Sequence, residues 1–168
     1  MGSLEVSVVI PAYHAWDTLP RVLDALAAQV AAGDREAIVV DTSADGRLRE
    51  IAQRWPWTLV LALPDRTPQG IARNLGARAA RGRALAFLDA DAVPAFDWLD
   101  ELLRVLSPGV EMVAGAVLNG TPRNPWAKAA HILEFLEWVP PAAAPVDGEC
   151  DVIPTPTRLR CGSRRCWP

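Results

Sequence analysis

Cysteine is scarce in this chain and unevenly placed, which excludes a disulfide-stabilised scaffold. The 168 residues include three cysteines, and all of them come late in the sequence, at Cys150, Cys161 and Cys166. This placement fits no disulfide framework, so we interpret them as free thiols. Cys161 and Cys166 are also too few for zinc, because two thiols alone do not complete a tetrahedral site.

Long apolar runs and a strong net charge are missing as well. No apolar stretch reaches the ~18 residues that a transmembrane helix needs, and the chain does not start with a charged segment followed by an apolar one, as a signal peptide does. The formal net charge of -3 offers no basic surface for DNA or RNA. We therefore expect no transmembrane segment, no nucleic-acid partner and a cytoplasmic location.

The apolar content, 51% of 168 residues, is enough for the core of one domain of ordinary size. In the first half, short apolar runs alternate with helical patterns. This alternation predicts an α/β fold with a doubly wound, mostly parallel sheet and helices on both faces. The predicted strands cover Leu4–Ile10, Ala37–Val40, Trp57–Leu63 and Ala84–Leu88. The first predicted helix begins at Asp17 or Thr18, and two further helices cover Leu48–Arg54 and Gln69–Ala80.

Further elements are predicted after residue 93. Pro94 and Asp97 open a helix with an apolar face, Val110–Leu118 has the pattern of a strand, and Trp126–Val139 predicts a helix with a wide apolar stripe. Core packing is the simplest explanation of that stripe. Peripheral attachment to a membrane surface is the alternative, although a Lys- or Arg-rich polar face would be expected for it.

Both common phosphate-binding loops are absent where the fold would place them. The first strand is followed by Pro11-Ala12-Tyr13-His14, with neither G-x-G-x-x-G nor G-x-x-x-x-G-K-[ST]. Asp89-Ala90-Asp91 offers another way to hold phosphate, because it follows the fourth predicted strand. Ligands gather at that end of parallel strands, and Mg²⁺ or Mn²⁺ prefers carboxylates together with substrate phosphates.

Four motifs occur in order along the chain: Val8–Tyr13, Val39–Gly46, Ala72–Gly76 and Phe87–Asp91. With these motifs the chain resembles the family 2 glycosyltransferases of the GT-A fold from about Val6 to Trp98, and more loosely to about Pro154. The resemblance implies a nucleotide-sugar donor, expected to be UDP-linked, an acceptor hydroxyl on a glycan or lipid-linked molecule, and Mn²⁺ or Mg²⁺.

The resemblance also implies roles for single residues. In that family, the segment matching Pro11, Ala12 and Tyr13 lines the base pocket, the acid matching Asp41 contacts the base, and the arginine matching Arg73 lies beside it. A carboxylate can accept the imide N–H of uracil, and a tyrosine ring offers a flat face to a base. Asp41 in a turn with Ser43, Tyr13 as a rim aromatic and Arg73 as a solvated charge are the alternative interpretations.

The same resemblance assigns Asp89 to the ribose, and Asp89 and Asp91 to a metal-bound diphosphate. A divalent ion there would stabilise the leaving diphosphate in an inverting displacement. In the loop after Asp41, Thr42-Ser43 replaces the second acid and glycine of the commonest family form, so base contacts there are expected to differ. The small residues of the third predicted helix are expected to let it lie close to the sheet; they are Gly70, Ala72, Gly76, Ala77 and Ala80.

Residues 1–154 are predicted to form an incomplete GT-A domain, and residues 155–168 an atypical tail, out of frame or disordered. The family pattern places the catalytic base beyond this region, so the catalytic residues stay unknown. A catalytically inactive nucleotide-binding module is therefore the alternative function, and association into a homo-oligomer stays open. A receiver-like signalling domain is disfavoured, because Pro11-Ala12 stands where its acidic pair would be.

Overall fold

The computed structural model describes residues 4–31, 34–106, 108, 110, 112–115, 117–120, 123–135, 146–147 and 158–160. The chain divides into two compact units, Met1–Asp97 and Trp98–Pro168. The three cysteines, the predicted linker Pro140–Pro145 and most of the predicted tail lie outside the described residues. The predictions made for them therefore stay predictions.

The first unit contains a four-stranded parallel sheet, as the sequence predicted. Buried parallel strands are apolar along their whole length, and this makes them recognisable as unbroken runs. The order along the chain is β1 Leu4–Ala12, α1 Leu19–Val30, β2 Arg35–Asp41, α2 Arg47–Ala52, β3 Thr58–Ala62, α3 Gln69–Ala79 and β4 Gly82–Phe87.

In the strand order β3-β2-β1-β4, β2 and β3 lie on one side of β1 and β4 lies on the other, so the order reverses between β1 and β4. Val9 of β1 is paired with Phe87 of β4, and the Leu88 N–H donates to the Val9 carbonyl at 3.1 Å. The loops that follow β1 and β4 therefore leave the same edge of the sheet side by side. In open α/β sheets such a reversal point is where ligands bind.

Helix α3 covers one face of the sheet at close range. Its Ala72 is fully buried against Val9, Ile38 and Val40. A β-carbon on Gly76 would collide with the Val9 side chain and would lie 3.0 Å from Cγ2 of Val40. The predicted role of the small residues in this helix is thus confirmed for Gly76. It is wrong for Gly70, where an added β-carbon would meet nothing within 4 Å.

The opposite face is equally apolar. By the alternation of side chains along a strand, Val8 and Ile10 point away from α3, and both are fully buried. Helix α1 contributes a buried apolar face of its own through Leu19, Val22, Leu23 and Leu26, and it contacts β2. The sheet of this unit is therefore flanked by helices, as the alternating sequence pattern predicted.

A buried polar network closes the amino-terminal edge of the sheet. The Glu36 carboxylate accepts hydrogen bonds from Ser7 Oγ at 2.7 Å and from Arg81 Nη2 at 2.6 Å. Burial of Glu36 disfavours its charged form, but the hydrogen bonds from Arg81 and Ser7 outweigh this effect and hold its pKa below the ordinary value. The network lies at the opposite end of the strands from the loops that follow β1 and β4.

The second unit differs more from the sequence prediction. It contains α4 Trp98–Val105, β5 Met112–Val113, α5 Pro125–Phe135, β6 Val146–Asp147 and β7 Arg158–Arg160. Strand β7 pairs antiparallel with β5 and parallel with β6. The strand predicted over Val110–Leu118 is thus reduced to two residues, just before Gly115, a residue type that weakens strands.

Helix α5 carries exposed apolar side chains. Leu133 is 87% exposed and Trp126 is 83% exposed. Core packing, the simplest explanation of the apolar stripe, is therefore wrong for Leu133: the periodicity identified the helix but not its burial. Across the described parts of the chain, no helix is both long enough and apolar enough to traverse a bilayer.

Candidate functional site

A cavity of about 550 Å³ lies at the carboxyl-terminal edge of the sheet in the first unit. Its volume falls within the range of small-molecule sites. Three segments form its wall: the end of β1 with its loop, the residue after β2, and the loop that leads into α3. The lining residues are Pro11, Ala12, Tyr13, Thr42, Arg66, Thr67, Pro68, Gln69 and Ala72.

The predicted base-pocket segment lines this cavity. Pro11 and Ala12 are buried at the end of β1, and Tyr13, the first residue after the strand, is 45% exposed. Thr42 ties the neighbouring strand to this segment, because its N–H donates to the Ala12 carbonyl at 2.9 Å and its Oγ1 donates to the same oxygen at 3.2 Å. The backbone on this side of the cavity is therefore held by paired strands.

Asp41 is almost completely buried, with 1% of its surface exposed. Its Oδ1 accepts the N–H of Ser43 at 2.8 Å, which confirms the turn interpretation for this oxygen. Its Oδ2 is buried and has no hydrogen-bond partner among the described residues. Asp41 does not itself line the cavity, whereas the next residue, Thr42, does. An unpartnered buried carboxylate oxygen is costly, and it marks a position that a ligand N–H could satisfy.

The Thr42-Ser43 departure from the family form has a visible role. Ser43 Oγ accepts the backbone N–H of His14 at 2.9 Å, and His14 adopts a positive φ of 50°. Asp41, Ser43 and His14 are thereby linked in series across two loops. The sequence indicated a polar turn after Asp41, but its contact with the loop after β1 could not be foreseen.

The ring of Tyr13 belongs to a stack of aromatic side chains. Its centroid lies 4.1 Å from that of His14, and the His14 centroid lies 4.7 Å from that of Trp16. An arginine covers each end of the stack. Arg66 Cζ lies 4.7 Å from the Tyr13 centroid and Arg47 Cζ lies 4.0 Å from the Trp16 centroid. Sequence reasoning missed both arginines, because each comes from a loop or helix that is distant along the chain.

Asp89 is held by two donors from α3. Gln69 Nε2 donates to Asp89 Oδ1 at 2.9 Å, and Arg73 Nη2 donates to the same oxygen at 2.7 Å. Gln69 and Arg73 are four residues apart and so share one face of the helix. Arg73, predicted to lie beside Asp41, is thus placed against Asp89. Gln69 also lines the cavity, so it connects the cavity to the acidic triplet, although sequence reasoning did not select it.

Asp91 differs from Asp89 in its surroundings. It is exposed, and its carboxylate has no hydrogen bond or ion pair with any described residue. The described residues contain no cluster of three or more His, Cys, Asp or Glu side chains that could hold a metal ion. The chain therefore offers a pair of carboxylates here. This donor set fits Mg²⁺ or Mn²⁺, which often uses one or two carboxylates and takes its other ligands from water and substrate phosphates.

Comparisons with known proteins identify the family to which the chain belongs. The family model for glycosyl transferase family 2 matches residues 7–155. The chain is 31% identical over 118 residues to Glycosyltransferase AglE of Haloferax volcanii, an alignment that covers 67% of this chain and 39% of that protein.

Solved structures support the fold. The mannosyltransferase PcManGT of Pyrobaculum calidifontis, in complex with GDP-Man and Mn²⁺, matches with a TM-score of 0.60 and 26% identity, over 82% of this chain and 41% of that one. TarS of S. aureus in complex with UDP matches with a TM-score of 0.56 and 22% identity, over 63% of this chain and 33% of that one. The chain thus spans about two fifths or less of the length of these three proteins.

Proposed function

The chain belongs to glycosyl transferase family 2, and on this basis we propose that it forms the donor-binding part of an enzyme that uses a nucleoside-diphosphate sugar. The reaction breaks the bond between the anomeric carbon and the diphosphate, and it joins that carbon to an acceptor hydroxyl oxygen with inversion. The nucleoside diphosphate and the proton of the hydroxyl group are released. The acceptor is a glycan or a lipid-linked molecule. A cytoplasmic location, with or without peripheral attachment to a membrane, is part of the same proposal.

The position of Gln69 carries this proposal. Gln69 lines the cavity beside Tyr13 and donates to Asp89, so one side chain borders both the predicted base pocket and the predicted diphosphate site. A base on Tyr13 and a diphosphate near Asp89 would then lie on either side of Gln69. The reversal of strand order between β1 and β4 supports the same location for a nucleotide.

The surroundings of Asp41 favour uracil as the base. Uracil presents one imide N–H, whereas guanine presents two neighbouring donors that suit a carboxylate with both oxygens available. Ser43 already occupies Oδ1 of Asp41, and Oδ2 is left without a partner. One remaining acceptor matches one imide donor. Because Oδ2 is buried, the loop after β2 must open slightly for this contact to form.

Asp89-Ala90-Asp91 is proposed to act as the metal-binding motif. Asp91 would supply a carboxylate that no described residue engages, and Asp89 would supply the oxygen that Gln69 and Arg73 leave open. A divalent ion held by these carboxylates would neutralise charge on the departing diphosphate. PcManGT was solved with GDP-Man and Mn²⁺, which supports Mn²⁺ as the first metal to test.

A catalytically inactive nucleotide-binding module is the second candidate function. What favours it is that nothing in the described residues beyond the donor site nominates a base that could deprotonate an acceptor hydroxyl. Incubation with UDP-sugars and measurement of the UDP released would distinguish the two. Release above the rate of the buffer control supports an enzyme, and binding without release supports the module.

Calorimetric titration with UDP and with GDP tests the proposed function directly. We expect UDP to bind in the presence of Mn²⁺ and to bind at least about tenfold more weakly in EDTA. Asp91→Asn should remove the metal dependence. Asp24→Asn, at an exposed position on α1, should preserve it. Failure of the unaltered protein to bind either nucleotide would refute the proposal.

A further inference from the structure

Arg66 occupies the face of Tyr13 that a nucleotide base would need. The Arg66 guanidinium lies over the Tyr13 ring, with Cζ 4.7 Å from the centroid. His14 stacks against the same ring, with the two planes inclined by only 15°. Both large surfaces of the Tyr13 ring are therefore covered. A base can stack on Tyr13 only if one of these two neighbours moves.

Of the two neighbours, Arg66 is the one that can move. His14 is fixed through its backbone, because its N–H donates to Ser43 Oγ at 2.9 Å, and its ring lies between Tyr13 and Trp16. Arg66 contacts Tyr13 through the end of a long flexible side chain. It makes no hydrogen bond or ion pair with any described residue. Cation–π contact at a partly exposed ring is weak, so little opposes its displacement.

The charge of Arg66 is uncompensated, in contrast to that of Arg73. Arg73 is paired with Asp89 at 2.7 Å, whereas no described carboxylate pairs with Arg66. Both arginines belong to the segment that runs from the β3 end into α3, and this segment borders the cavity from Arg66 to Gln69. Gln69 in turn contacts Asp89. Arg66 is therefore a free cation on the wall that connects Tyr13 with the acidic triplet.

We propose that Arg66 is a donor-positioning residue that exchanges partners: the base of the nucleotide takes the face of Tyr13, and the guanidinium transfers to the diphosphate. This inference rests on the proposed function and adds a specificity determinant to it. Charge-assisted hydrogen bonds from a guanidinium to phosphate oxygens are stronger than its contact with an exposed ring. The exchange therefore favours nucleoside diphosphates over nucleosides, which can displace Arg66 but cannot engage it.

Comparison of UDP with uridine separates the two halves of the exchange. Arg66→Ala should weaken UDP binding by about tenfold or more, which corresponds to about 1.4 kcal/mol. The same substitution should leave uridine binding unchanged or tighter, because the face of Tyr13 no longer has to be cleared. Arg47→Ala is the matched control, since Arg47 covers the other end of the same stack. It should leave the affinities for both ligands within about twofold.

A ¹⁹F resonance from labelled Tyr13 reports directly on which group covers its ring. Tyr13 is the one tyrosine in the sequence, so protein labelled with 3-fluorotyrosine gives a single ¹⁹F resonance in its folded state. Arg66→Ala should shift this resonance in the absence of nucleotide, and Arg47→Ala should shift it less. Arg66→Lys keeps the charge but loses the flat guanidinium, so it should shift the resonance while retaining most of the UDP affinity. This second variant also guards against misfolding of Arg66→Ala.

Each outcome distinguishes this inference from the function on which it rests. If the unaltered protein binds UDP and Arg66→Ala binds it equally well, the exchange is refuted and the proposed function stands. If Arg66→Ala loses uridine and UDP in equal measure, Arg66 does not act on the diphosphate and the exchange is again refuted. If the unaltered protein binds neither UDP nor GDP, both proposals fail together.

Discussion

Arg73 and Asp89 form an ion pair, with 2.7 Å between Arg73 Nη2 and Asp89 Oδ1, across the junction of α3 and the loop after β4. The pair orients the carboxylate that the family resemblance assigns to ribose and metal. Asp91, two residues later, has no partner among the described residues. The two acids of the triplet are therefore not equivalent: one is oriented by the protein, and the other is available to a ligand.

Arg73→Gln should affect nucleotide binding more than stability. The side chains of Arg73 and Asp89 are 31% and 49% exposed, and ion pairs of this kind contribute about 0–1 kcal/mol. UDP affinity should fall by about tenfold, because Asp89 loses the donor that orients it. Denaturant unfolding and calorimetry measure the two effects. The control Arg104→Gln breaks an exposed ion pair with Glu101 and should leave binding unchanged. Equal effects of both variants on UDP affinity would contradict this role for Arg73.

Asp41→Asn should change the preferred base. The asparagine oxygen can keep the hydrogen bond from the Ser43 N–H, which places its amide group where Oδ2 is now unpartnered. An NH₂ group opposes the imide donor of uracil but suits the ring acceptor of cytosine. UDP should bind about 10- to 100-fold more weakly, and the preference should shift towards CDP. Competition titrations measure both, with Asp45→Asn in the same loop as the control. An unchanged ratio of UDP to CDP affinity would remove Asp41 from base recognition.

Gly76→Ala should destabilise the first unit by about 1–3 kcal/mol, because the added methyl group overfills the contact between α3 and β1. Its β-carbon would collide with Val9, and Val40 Cγ2 would lie 3.0 Å away. Gly70→Ala in the same helix meets nothing within 4 Å and should change stability by no more than about 1 kcal/mol, in the stabilising direction. Urea unfolding gives the free energies. A loss of the same size at both positions would mean that close approach to Val9 and Val40 does not determine the effect.

Stability should fall in acid partly through Glu36. Its pKa is lower in the folded protein than the ordinary value of 4.5, so the unfolded chain takes up the proton first as the pH falls. The contribution of Glu36 is therefore complete above about pH 4.5 and is lost as the pH falls through the lower folded pKa. Glu36→Gln should cost about 1–3 kcal/mol near neutral pH, because it weakens a buried network.

Urea unfolding between pH 7 and pH 3 should then show a flatter pH dependence for Glu36→Gln than for the unaltered protein. The control Glu101→Gln removes another carboxylate whose pKa is lowered by an arginine, Arg104, but this one is exposed. It should change the curve much less. Parallel curves for Glu36→Gln and the unaltered protein would contradict the linkage.

Periodicity was sufficient to predict the first unit because its signals are local. The strand predicted over Trp57–Leu63 is observed at Thr58–Ala62, and the helix predicted over Gln69–Ala80 is observed at Gln69–Ala79. Strand β4 begins at Gly82, before its apolar run, because pairing with Leu4 extends the ladder into residues that carry no apolar signal. The exposure of Leu133 could not be predicted, because an apolar stripe does not reveal what covers it.

The candidate site was predictable only in part. Family motifs indicated Tyr13, Asp41 and Asp89, whose positions follow directly from the ends of strands. The turn of Asp41 with Ser43 was among the interpretations of the sequence. Gln69 and Arg66 were not predictable as partners, because they approach Asp89 and Tyr13 from the start of α3 and from the loop before it. An arginine next to Asp65 and Thr67 in the sequence gives no sign that it covers an aromatic ring. Spacing along the chain therefore indicated polar and aromatic residues at the ends of strands, but not most of the groups that orient or cover them.

The strand order also determines when the site can assemble during synthesis. Strand β4 is the last strand of its sheet to leave the ribosome, yet it docks on the first, through pairs such as Val9 with Phe87. A nascent chain that ends before Gly82 carries the loop after β1 and the turn after β2, with one side of β1 still an open edge. Asp89 and Asp91 join them only when β4 closes that edge. Nucleotide affinity should therefore be acquired in one late folding step, and nucleotide present at that moment would favour its completion.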